Sequence, residues 1–402
     1  MSLQQIFATR ASRMKASEIR ELLKLLDQSG IISFAGGIPD PALFPADAFA
    51  EAFADALSPE RQAQALQYSV SEGYLPLRRW IVGEMARIGI ACDVDNVLIT
   101  SGSQQALDYL GKLFLSPGDT ALVGWPTYLG ALAAFNAYEP RYDQLSLNGN
   151  RTVASYAEGA AEAGGTVKFA YLSPDFANPT GATLDLAERE RLLDLVEGLD
   201  CAVIEDAAYQ SLRYDGTPVP PLLALEIARK GSVEGCRTVY CGSFSKTLSP
   251  GLRVGWTVAA RPVISQMVLL KQAADLHSPT INQIAICEVA ERHFDAHVAR
   301  IREVYRHRRD VMLAALADHM PAGVDWTRPE GGMFVWLTLP KGMDGADLLA
   351  RSLQTEMVAF VPGRAFYADG SGGNTIRLSF SAMNDDQIVE GIRRLGRLLR
   401  TE

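Results

Sequence analysis

The sequence lacks any apolar run of membrane-spanning length, and its start, M-S-L-Q-Q-I-F-A-T-R, lacks the long apolar core of a signal peptide. Its five cysteines are scattered, odd in number and nowhere spaced C-x-x-C. They are Cys92, Cys201, Cys236, Cys241 and Cys287. This usage argues against a disulfide framework or a zinc site and favours a reducing compartment. We therefore expect a cytoplasmic protein that has no metal site and does not cross a membrane.

An excess of positive charge is also missing, because the formal net charge is -9. That balance argues against a nucleic acid or an anionic membrane as partner. The chain has 402 residues, 48% hydrophobic and 21% charged, as in ordinary globular proteins. This length is large for a single hydrophobic core, so we expect one larger and one smaller domain.

Five short apolar runs alternate with helical segments between residues 97 and 255, which predicts an α/β fold with a mostly parallel sheet. The runs are residues 97–100, 121–124, 167–172, 202–204 and 238–241. Ligands bind beyond the carboxyl ends of such strands. Polar or aromatic residues follow each of these ends: Ser103 and Gln104, Tyr128, Asn178, Asp206 and Tyr209, and Ser243, Ser245 and Lys246. We expect these side chains to converge at one edge of the sheet.

One lysine stands among hydroxyl residues in the stretch 240–255, Y-C-G-S-F-S-K-T-L-S-P-G-L-R-V-G. The hydroxyls and Arg253 suit a phosphate, since they offer several donors and a fixed positive charge. Lys246 suits an amine nucleophile, because nearby cations and partial burial lower the pKa of an amine. Together they suggest pyridoxal phosphate bound as a Schiff base. A polar loop with a solvated lysine would have the same pattern.

The ends of the chain have a different pattern from its middle. Residues 1–45 predict a helix at 17–26 and a Gly- and Pro-rich loop, associated with a small domain. Residues 46–289 predict the large domain, and 290–402 a small α+β domain with a long helix at 290–320 and a terminal helix at 385–399. Strands are predicted at 333–337, 358–361 and 375–380. In the last, Arg377 alternates with apolar neighbours, so it either faces water or clamps a carboxylate across a cleft.

The chain resembles the fold-type I pyridoxal-phosphate aminotransferases of class I, and within them the 2-aminoadipate/kynurenine aminotransferase branch. The motifs that carry the resemblance run in family order nearly to the C-terminus. They are S-F-A-G-G-I-P-D-P, L-Q-Y-S, G-S-Q-Q-A-L, N-P-T-G, E-D-A-A-Y, G-S-F-S-K-T-L-S-P-G-L-R, G-G-M-F-V-W and I-R-L-S-F. The ordered set is specific, although any one motif alone is weak.

The resemblance implies roles for the residues at the strand ends. Lys246 would form the Schiff base and move the α-proton, and Asp206 would pair with the pyridinium nitrogen. Tyr209 and Asn178 would hydrogen-bond the phenolic oxygen of the cofactor, and Tyr128 would stack on its ring. The phosphate would be held by Ser103, Gln104, Ser243, Ser245 and Arg253.

The resemblance also implies how substrates and subunits meet. Arg377 would bind the α-carboxylate, with Asn178 and Gly37 nearby, and Arg20 would meet the distal side chain of the substrate. Tyr68 would reach the phosphate bound by a neighbouring subunit, which makes a homodimer the expected unit. The implied reaction passes the amino group of 2-aminoadipate, an aromatic or a branched-chain amino acid to a 2-oxo acid such as 2-oxoglutarate, by a ping-pong mechanism.

Three other functional hypotheses compete with transamination. Ser243 to Lys246 fits S-x-x-K of penicillin-recognising hydrolases, but that motif needs S-D-N and K-T-G downstream, and neither occurs. A transcriptional regulator with an aminotransferase-like domain would need a basic DNA-binding domain as well. This chain is acidic, and it leaves no room for such a domain before the first motif. A lyase or decarboxylase that shares the cofactor apparatus remains open.

Overall fold

The structure of the protein is a computed structural model that describes residues 3–14 and 30–400. The helix predicted at 17–26, with Arg20, lies outside the described residues. Within the two described ranges, no helix is both long and apolar enough to cross a membrane. The same ranges contain no group of three or more His, Cys, Asp or Glu side chains that could hold a metal ion.

The described residues form strands and helices with the following bounds. The strands are β1 (Ile32–Ser33), β2 (Val97–Thr100), β3 (Thr120–Val123), β4 (Arg141–Gln144), β5 (Val167–Leu172), β6 (Ala202–Asp206), β7 (Thr238–Ser243), β8 (Gly255–Val258), β9 (Asp325–Trp326), β10 (Phe334–Thr338), β11 (Val358–Ala359), β12 (Val361–Pro362) and β13 (Thr375–Ser379). The α-helices are Ala46–Ala56, Gln62–Leu66, Leu75–Arg87, Ser103–Phe114, Leu129–Asn136, Val153–Glu162, Leu186–Leu199, Leu222–Lys230, Arg261–Ala274, Thr280–His319, Gly345–Thr355 and Asp385–Leu399.

The central sheet has seven strands in the order β2-β8-β7-β6-β5-β3-β4. Neighbouring strands from β7 through β6, β5 and β3 to β4 are all parallel, and only β8 is antiparallel to its neighbours. Side chains on the two faces pack into separate clusters: Ile204 packs with Leu107, whereas Val203 packs with Leu192. Helices thus cover both faces, which is why the inner strands of the sheet are mostly apolar. The predicted α/β class with a mostly parallel sheet is confirmed.

Two strands of this sheet escaped the sequence analysis. The edge strand β4 has the sequence R-Y-D-Q, which contains no apolar run, and it joins the sheet only by pairing with β3. Strand β8 follows the lysine loop directly and returns antiparallel between β2 and β7. Strand β4 has no apolar run because an edge position tolerates polar residues. Strand β8, G-W-T-V, follows the lysine loop with no helix between, so the alternation of apolar runs with helices does not reveal it.

A second sheet of four antiparallel strands has the order β12-β13-β10-β9. Ile376 and Leu378 of β13 pack in one core with Leu316 and Leu395, which come from the two long C-terminal helices. Strand β1 pairs in parallel with β11, so the segment before the first described α-helix joins this part of the molecule. The domain limits at residues 45 and 289 stay predictions.

The long helix begins ten residues earlier than predicted, at Thr280 rather than near residue 290. Its first part, which includes Ile286, is buried in the core beside Ile81, and its later part, with Met312, is buried in the second core. The buried first part, residues 280–289, contains a single charged residue, whereas the later part is rich in charge. The charged pattern that predicted the helix therefore begins only further on.

Candidate active site

The carboxyl ends of the parallel strands surround a cavity of about 320 Å³, a volume within the ordinary range for ligand sites. Most residues proposed from the sequence line it: Gly37, Ser103, Gln104, Tyr128, Asn178, Asp206, Tyr209, Ser243, Ser245, Lys246, Arg253 and Arg377. The cavity therefore collects residues from the central sheet, from the loop after β1 and from β13. Strand β13 belongs to the second sheet, so the site forms where the two sheets meet.

Lys246 ends the short 3₁₀ turn Phe244–Lys246 that follows β7, and its amine points across the cavity. The Nζ donates a hydrogen bond to the carbonyl of Gly37 at 2.8 Å. Burial, together with the positive charges of Arg377 and Arg253, lowers the pKa of Lys246 to about 8, although Asp206 opposes the shift. About a tenth of the amine is therefore neutral at pH 7, far more than for an unperturbed lysine, and the neutral form is the one a nucleophile requires.

Asp206 lies at the end of β6 and is almost fully buried. One carboxylate oxygen, Oδ2, accepts a hydrogen bond from the Tyr171 hydroxyl at 2.8 Å. The other oxygen, Oδ1, is buried without a hydrogen-bond partner among the described residues. Burial raises the pKa of Asp206, against the hydrogen bond from Tyr171. A buried carboxylate oxygen without a donor is costly, so this position favours a ligand that brings an N–H group.

Three chain segments form a cradle of donors in the same cavity as Asp206. The helix Ser103–Phe114 begins in the cavity, where its first N–H groups and its dipole attract an anion. Arg253 donates to the Ser245 hydroxyl at 3.4 Å and to the Ser101 carbonyl at 3.1 Å. A Cβ atom at Gly102, whose φ is +78°, would lie 2.2 Å from the Arg253 guanidinium. Glycine thus allows the arginine to lie close to the helix start.

An ion pair between the buried Lys271 and the solvent-accessible Asp275 supports this cradle. The amine of Lys271 contacts both carboxylate oxygens of Asp275 at 3.0 Å and Gln105 Oε1 at 2.9 Å, and its side chain is fully buried. Gln105 Nε2 donates to Asp275 at 2.7 Å, and its Oε1 accepts from the Ser101 amide at 2.9 Å. The network fixes the turn Ser101–Gly102 that precedes the helix start.

Replacement of Lys271 by methionine is expected to weaken binding of a phosphate-bearing cofactor about tenfold, or about 1.4 kcal/mol. Without the ammonium, Asp275 and Gln105 lose a buried donor, and the Ser101–Gly102 turn loses its fixed position. The dissociation constant of the cofactor from the apoprotein measures the effect. Lys112→Met is the matched control, since Lys112 is exposed on the helix Ser103–Phe114. Equal dissociation constants for the two variants would contradict the role of Lys271.

Arg377 also lines the cavity and is only 1% exposed, which rules out the water-facing alternative. Its terminal nitrogens donate to Asn178 Oδ1 at 2.7 Å and to the Ala35 carbonyl at 2.8 Å. The guanidinium lies over the Phe334 ring at 4.2 Å from the centroid. Burial lowers the pKa of Arg377 to about 10, so it stays charged at neutral pH. A buried cation with neutral partners is suited to an anionic ligand.

Asn178 links this arginine to Tyr209. The amide that accepts from Arg377 also hydrogen-bonds the Tyr209 hydroxyl. Burial raises the pKa of Tyr209. Gly37 packs closely against the same group of residues. A Cβ atom at this position would lie 2.7 Å from the Phe334 ring and 3.8 Å from the Arg377 guanidinium, so only glycine leaves room for both. These contacts hold Asn178 and Tyr209 side by side, where both can donate to one oxygen of a ligand.

Two residues proposed from the sequence are not in the cavity. Tyr68 does not line it in this chain; its side chain is 79% exposed and meets the His277 ring edge-on at 5.9 Å. Arg20 lies outside the described residues.

The sequence analysis missed two residues of the site. One is Tyr171, the hydrogen-bond partner of Asp206, and the other is Ser173, which lines the cavity. A tyrosine near the end of an otherwise apolar strand is a weak signal for Tyr171, and nothing in the sequence singles out Ser173.

The cavity fits pyridoxal phosphate at each of its ends. An anion cradle, an amine with a lowered pKa and a buried carboxylate oxygen without a donor match the phosphate, the aldehyde and the ring nitrogen of this cofactor. The Tyr128 ring, which lies against Gly130, lines the cavity between them. Residues 29–395 match the family described as aminotransferase class I and II. The chain belongs to the class I and II aminotransferase family.

Relatives of this aminotransferase share nearly its full length. Aromatic-amino-acid aminotransferase 1 of Thermococcus litoralis is 41% identical over 100% of this chain and 96% of its own length. The structure of an α-aminoadipate aminotransferase of Thermus thermophilus, complexed with N-(5'-phosphopyridoxyl)-L-leucine, has a TM-score of 0.89 at 42% identity and covers 100% of this chain and 99% of that one. The kynurenine aminotransferase of Pyrococcus horikoshii, in complex with PMP, has a TM-score of 0.91 at 41% identity, with 100% and 98% covered. The predicted family, aminotransferase activity and pyridoxal phosphate as cofactor are confirmed.

The rate at which the apoprotein binds pyridoxal phosphate is expected to rise with pH and to level off near pH 9. Below the pKa of Lys246, about 8, the amine is protonated and carries no lone pair. The neutral fraction should therefore increase about tenfold between pH 7 and 9, whereas an unperturbed lysine would increase about 100-fold without a plateau. Stopped-flow absorbance measures the rate, and a rise that continues beyond pH 9 would show that the amine is not activated.

Proposed function

We propose that this aminotransferase moves the amino group of 2-aminoadipate, an aromatic or a branched-chain amino acid to a 2-oxo acid, with 2-oxoglutarate as acceptor, by a ping-pong mechanism. The convergence of Lys246, Asp206 and Arg377 on one cavity is the observation that carries this proposal. Lys246 reacts with the substrate, Asp206 adjusts the charge of the cofactor ring, and Arg377 anchors the carboxylate of the substrate. The same anchor serves the amino acid and the 2-oxo acid, since both carry a carboxylate next to the reacting carbon.

The cofactor is held at three points. The start of the helix at Ser103 and Gln104, with Ser243, Ser245 and Arg253, binds the phosphate. Asp206 pairs with a protonated ring nitrogen through the oxygen that lacks a donor, and Tyr171 fixes the carboxylate through the other oxygen. Asn178 and Tyr209 hydrogen-bond the phenolic oxygen, while Tyr128 covers one face of the ring.

Substrate chemistry follows from where the chain puts its charges. When bound, pyridoxal phosphate supplies an electron-withdrawing ring that makes the α-hydrogen of the substrate acidic. Arg377, with Asn178 beside it, holds the α-carboxylate and thereby orients the α C–H bond. The amine of Lys246 accepts the α-proton as general base and returns it as general acid, for which a pKa of about 8 is well suited. Asp206 would stabilise the positive charge on the ring nitrogen, and that charge in turn would favour the ionised carboxylate.

The preference for the substrate side chain depends on a further cation. Of the lining arginines, Arg253 belongs to the phosphate cradle and Arg377 to the α-carboxylate, so the described lining leaves no arginine for a second carboxylate. An acidic side chain such as that of 2-aminoadipate therefore needs a charge from elsewhere, and Arg20 is our candidate. The apolar Ile38 and Leu129, which also line the cavity, suit apolar and aromatic side chains.

The half-reaction with single amino acids tests the proposal. Holoenzyme mixed with 2-aminoadipate, phenylalanine or leucine should lose its visible cofactor absorbance, and 2-oxoglutarate should restore it. Arg20→Ala should slow the reaction with 2-aminoadipate more than that with leucine. A visible band that no amino acid converts would reject transamination of these donors and favour a lyase. Equal losses for both donors in Arg20→Ala would reject the role of Arg20 alone.

A homodimer completes the proposed unit. Leu66, Tyr68, Val70 and Leu276 are large hydrophobic residues between 43% and 79% exposed, and the Tyr68 and His277 rings are 5.9 Å apart. Such a surface favours contact with a second copy, which would carry Tyr68 to the phosphate of its neighbour. Sedimentation equilibrium should give twice the chain mass of 43.6 kDa, and Tyr68→Ala should weaken cofactor binding. A monomeric, fully active enzyme would refute both.

The five free cysteines suit the cytoplasm, the location we favour.

A further inference from the structure

A second and larger cavity, a cleft of about 550 Å³, shares a wall with the active-site cavity. Ala208 and Ser243 line both cavities, and Thr247, which follows Lys246, lines the cleft. None of the roles described for the cofactor or the amino acid uses this space. A ligand in the cleft would lie directly behind the turn that carries the reactive lysine.

Two helices form the sides of the cleft. Phe294 and Val298, four residues apart, lie on one face of the helix Thr280–His319, and Trp80 lies on the helix Leu75–Arg87. The rings of Trp80 and Phe294 are both half-buried and meet edge to face, with 5.1 Å between their centroids. Trp256 and Tyr240 also line the cleft. The cleft therefore offers aromatic surface against which another ring can pack.

The charged side chains of the cleft are paired, with one exception among the described residues. Arg87 contacts Glu84 at 2.6 Å and Asp295 at 3.0 Å. A second lining arginine, Arg213, contacts Asp175 at 3.2 Å.

Arg302 is that exception. It forms no ion pair with any residue of the described ranges, and only its Nε is used, in a hydrogen bond to the Ser211 carbonyl at 2.5 Å. Arg302 lines the cleft and is exposed to solvent. Partial desolvation lowers its pKa, although the negative charge of Asp295, which also lines the cleft, opposes the shift. Its two terminal nitrogens are free to bind a carboxylate in a bidentate fork.

We propose that the cleft binds an aromatic monocarboxylate, whose ring packs on Trp80 and Phe294 and whose carboxylate pairs with Arg302. Phe294 and Arg302 are eight residues apart on one helix, a rise of about 12 Å, and the arginine side chain leans back toward the helix N-terminus. A spacer of two or three bonds between ring and carboxylate spans the remaining distance. The cleft is thus a ligand site separate from the carboxylate anchor at Arg377.

Calorimetric titration with 3-phenylpropionate tests this site, because the probe has no amino or oxo group and cannot be transaminated. Wild-type holoenzyme should bind two molecules per chain, one at Arg377 and one in the cleft. In an Arg377→Leu background one site should remain. Adding Arg302→Leu should raise the dissociation constant of that remaining site at least tenfold.

Arg306→Leu in the same background is the matched control, since Arg306 is exposed one turn further along the same helix and does not line the cleft. It should leave the dissociation constant unchanged. Arg302→Leu with an intact Arg377 should keep its transaminase activity, which verifies that the variant folds. A single site per chain in the wild type, or equal binding by the Arg302 and Arg306 variants, overturns the proposal. The wild-type stoichiometry decides the matter even if a variant fails to fold.

Discussion

Lys246→Ala is expected to lower the turnover number at least about 10⁴-fold, or about 5.5 kcal/mol in activation free energy. The substitution removes both the amine that attaches to the cofactor and the base that accepts the α-proton. No other lysine lines the cavity, which the described residues form, so no neighbouring amine can replace it. Single-turnover rates with 2-aminoadipate, phenylalanine and leucine measure the loss, which should be similar for all three donors.

The cofactor should nevertheless stay bound to this variant. The phosphate cradle, Asp206 and Tyr128 are untouched, so gel-filtered Lys246→Ala should retain pyridoxal phosphate with an altered absorbance spectrum. Lys341→Ala is the control, because Lys341 is exposed and far along the chain from the lysine turn. A Lys246 variant that kept even a hundredth of the wild-type turnover would show that another group moves the proton.

Arg377→Leu should lower kcat/KM for every amino acid by about 10²- to 10³-fold, or about 3 to 4 kcal/mol, because it removes a desolvated charge that pairs with the α-carboxylate. The loss should appear mainly in KM for the amino donor and for the 2-oxo acid alike. Arg377→Lys should also be impaired, since an ammonium cannot reproduce the fork that contacts both Asn178 and Ala35.

The control for this experiment is Arg364→Leu. Arg364 is exposed and pairs with Asp344, and its replacement removes the same charge from the same part of the chain. Binding of pyridoxal phosphate should be similar in both variants, because the hydrogen bonds of Arg377 go to Asn178 and Ala35 and to no residue of the phosphate cradle. If Arg377→Leu lost cofactor but kept a normal KM, the arginine would serve the cofactor and the carboxylate anchor would have to be sought elsewhere.

The helix limits show how far local sequence can specify structure. The helix Asp385–Leu399 has the bounds predicted for it, and the reason is a capping box: Asn384 and Gln387 exchange side-chain and backbone hydrogen bonds at 2.9 and 3.1 Å. Helix Leu186–Leu199 begins the same way, at Asp185. Where the start is set by tertiary packing, as at Thr280, the prediction was wrong by a full ten residues.

Residues alone determined the α/β class, the mostly parallel sheet and the set of polar groups at the strand ends. Alternation of apolar runs with helical segments carries that information, and parallel strands necessarily bring their carboxyl ends to one edge. The hydroxyl-rich turn around Lys246 likewise indicated a phosphate and an amine from its residue types alone. These features are local or follow directly from chain order.

Only the tertiary structure decided how the groups act on one another. The alternation of residues in β13 left two alternatives open for Arg377, a position in water or a position in a cleft. The Phe334 ring and the Ala35 carbonyl contact its guanidinium, and these contacts place Arg377 in the cleft. The pairing of Tyr171 with Asp206 joins residues 35 positions apart in sequence. The lowered pKa of Lys246 depends on burial and on the charge of Arg377, which lies far along the chain. Burial and the distances between charges depend on how distant segments of the chain pack together. A local sequence pattern therefore does not determine them.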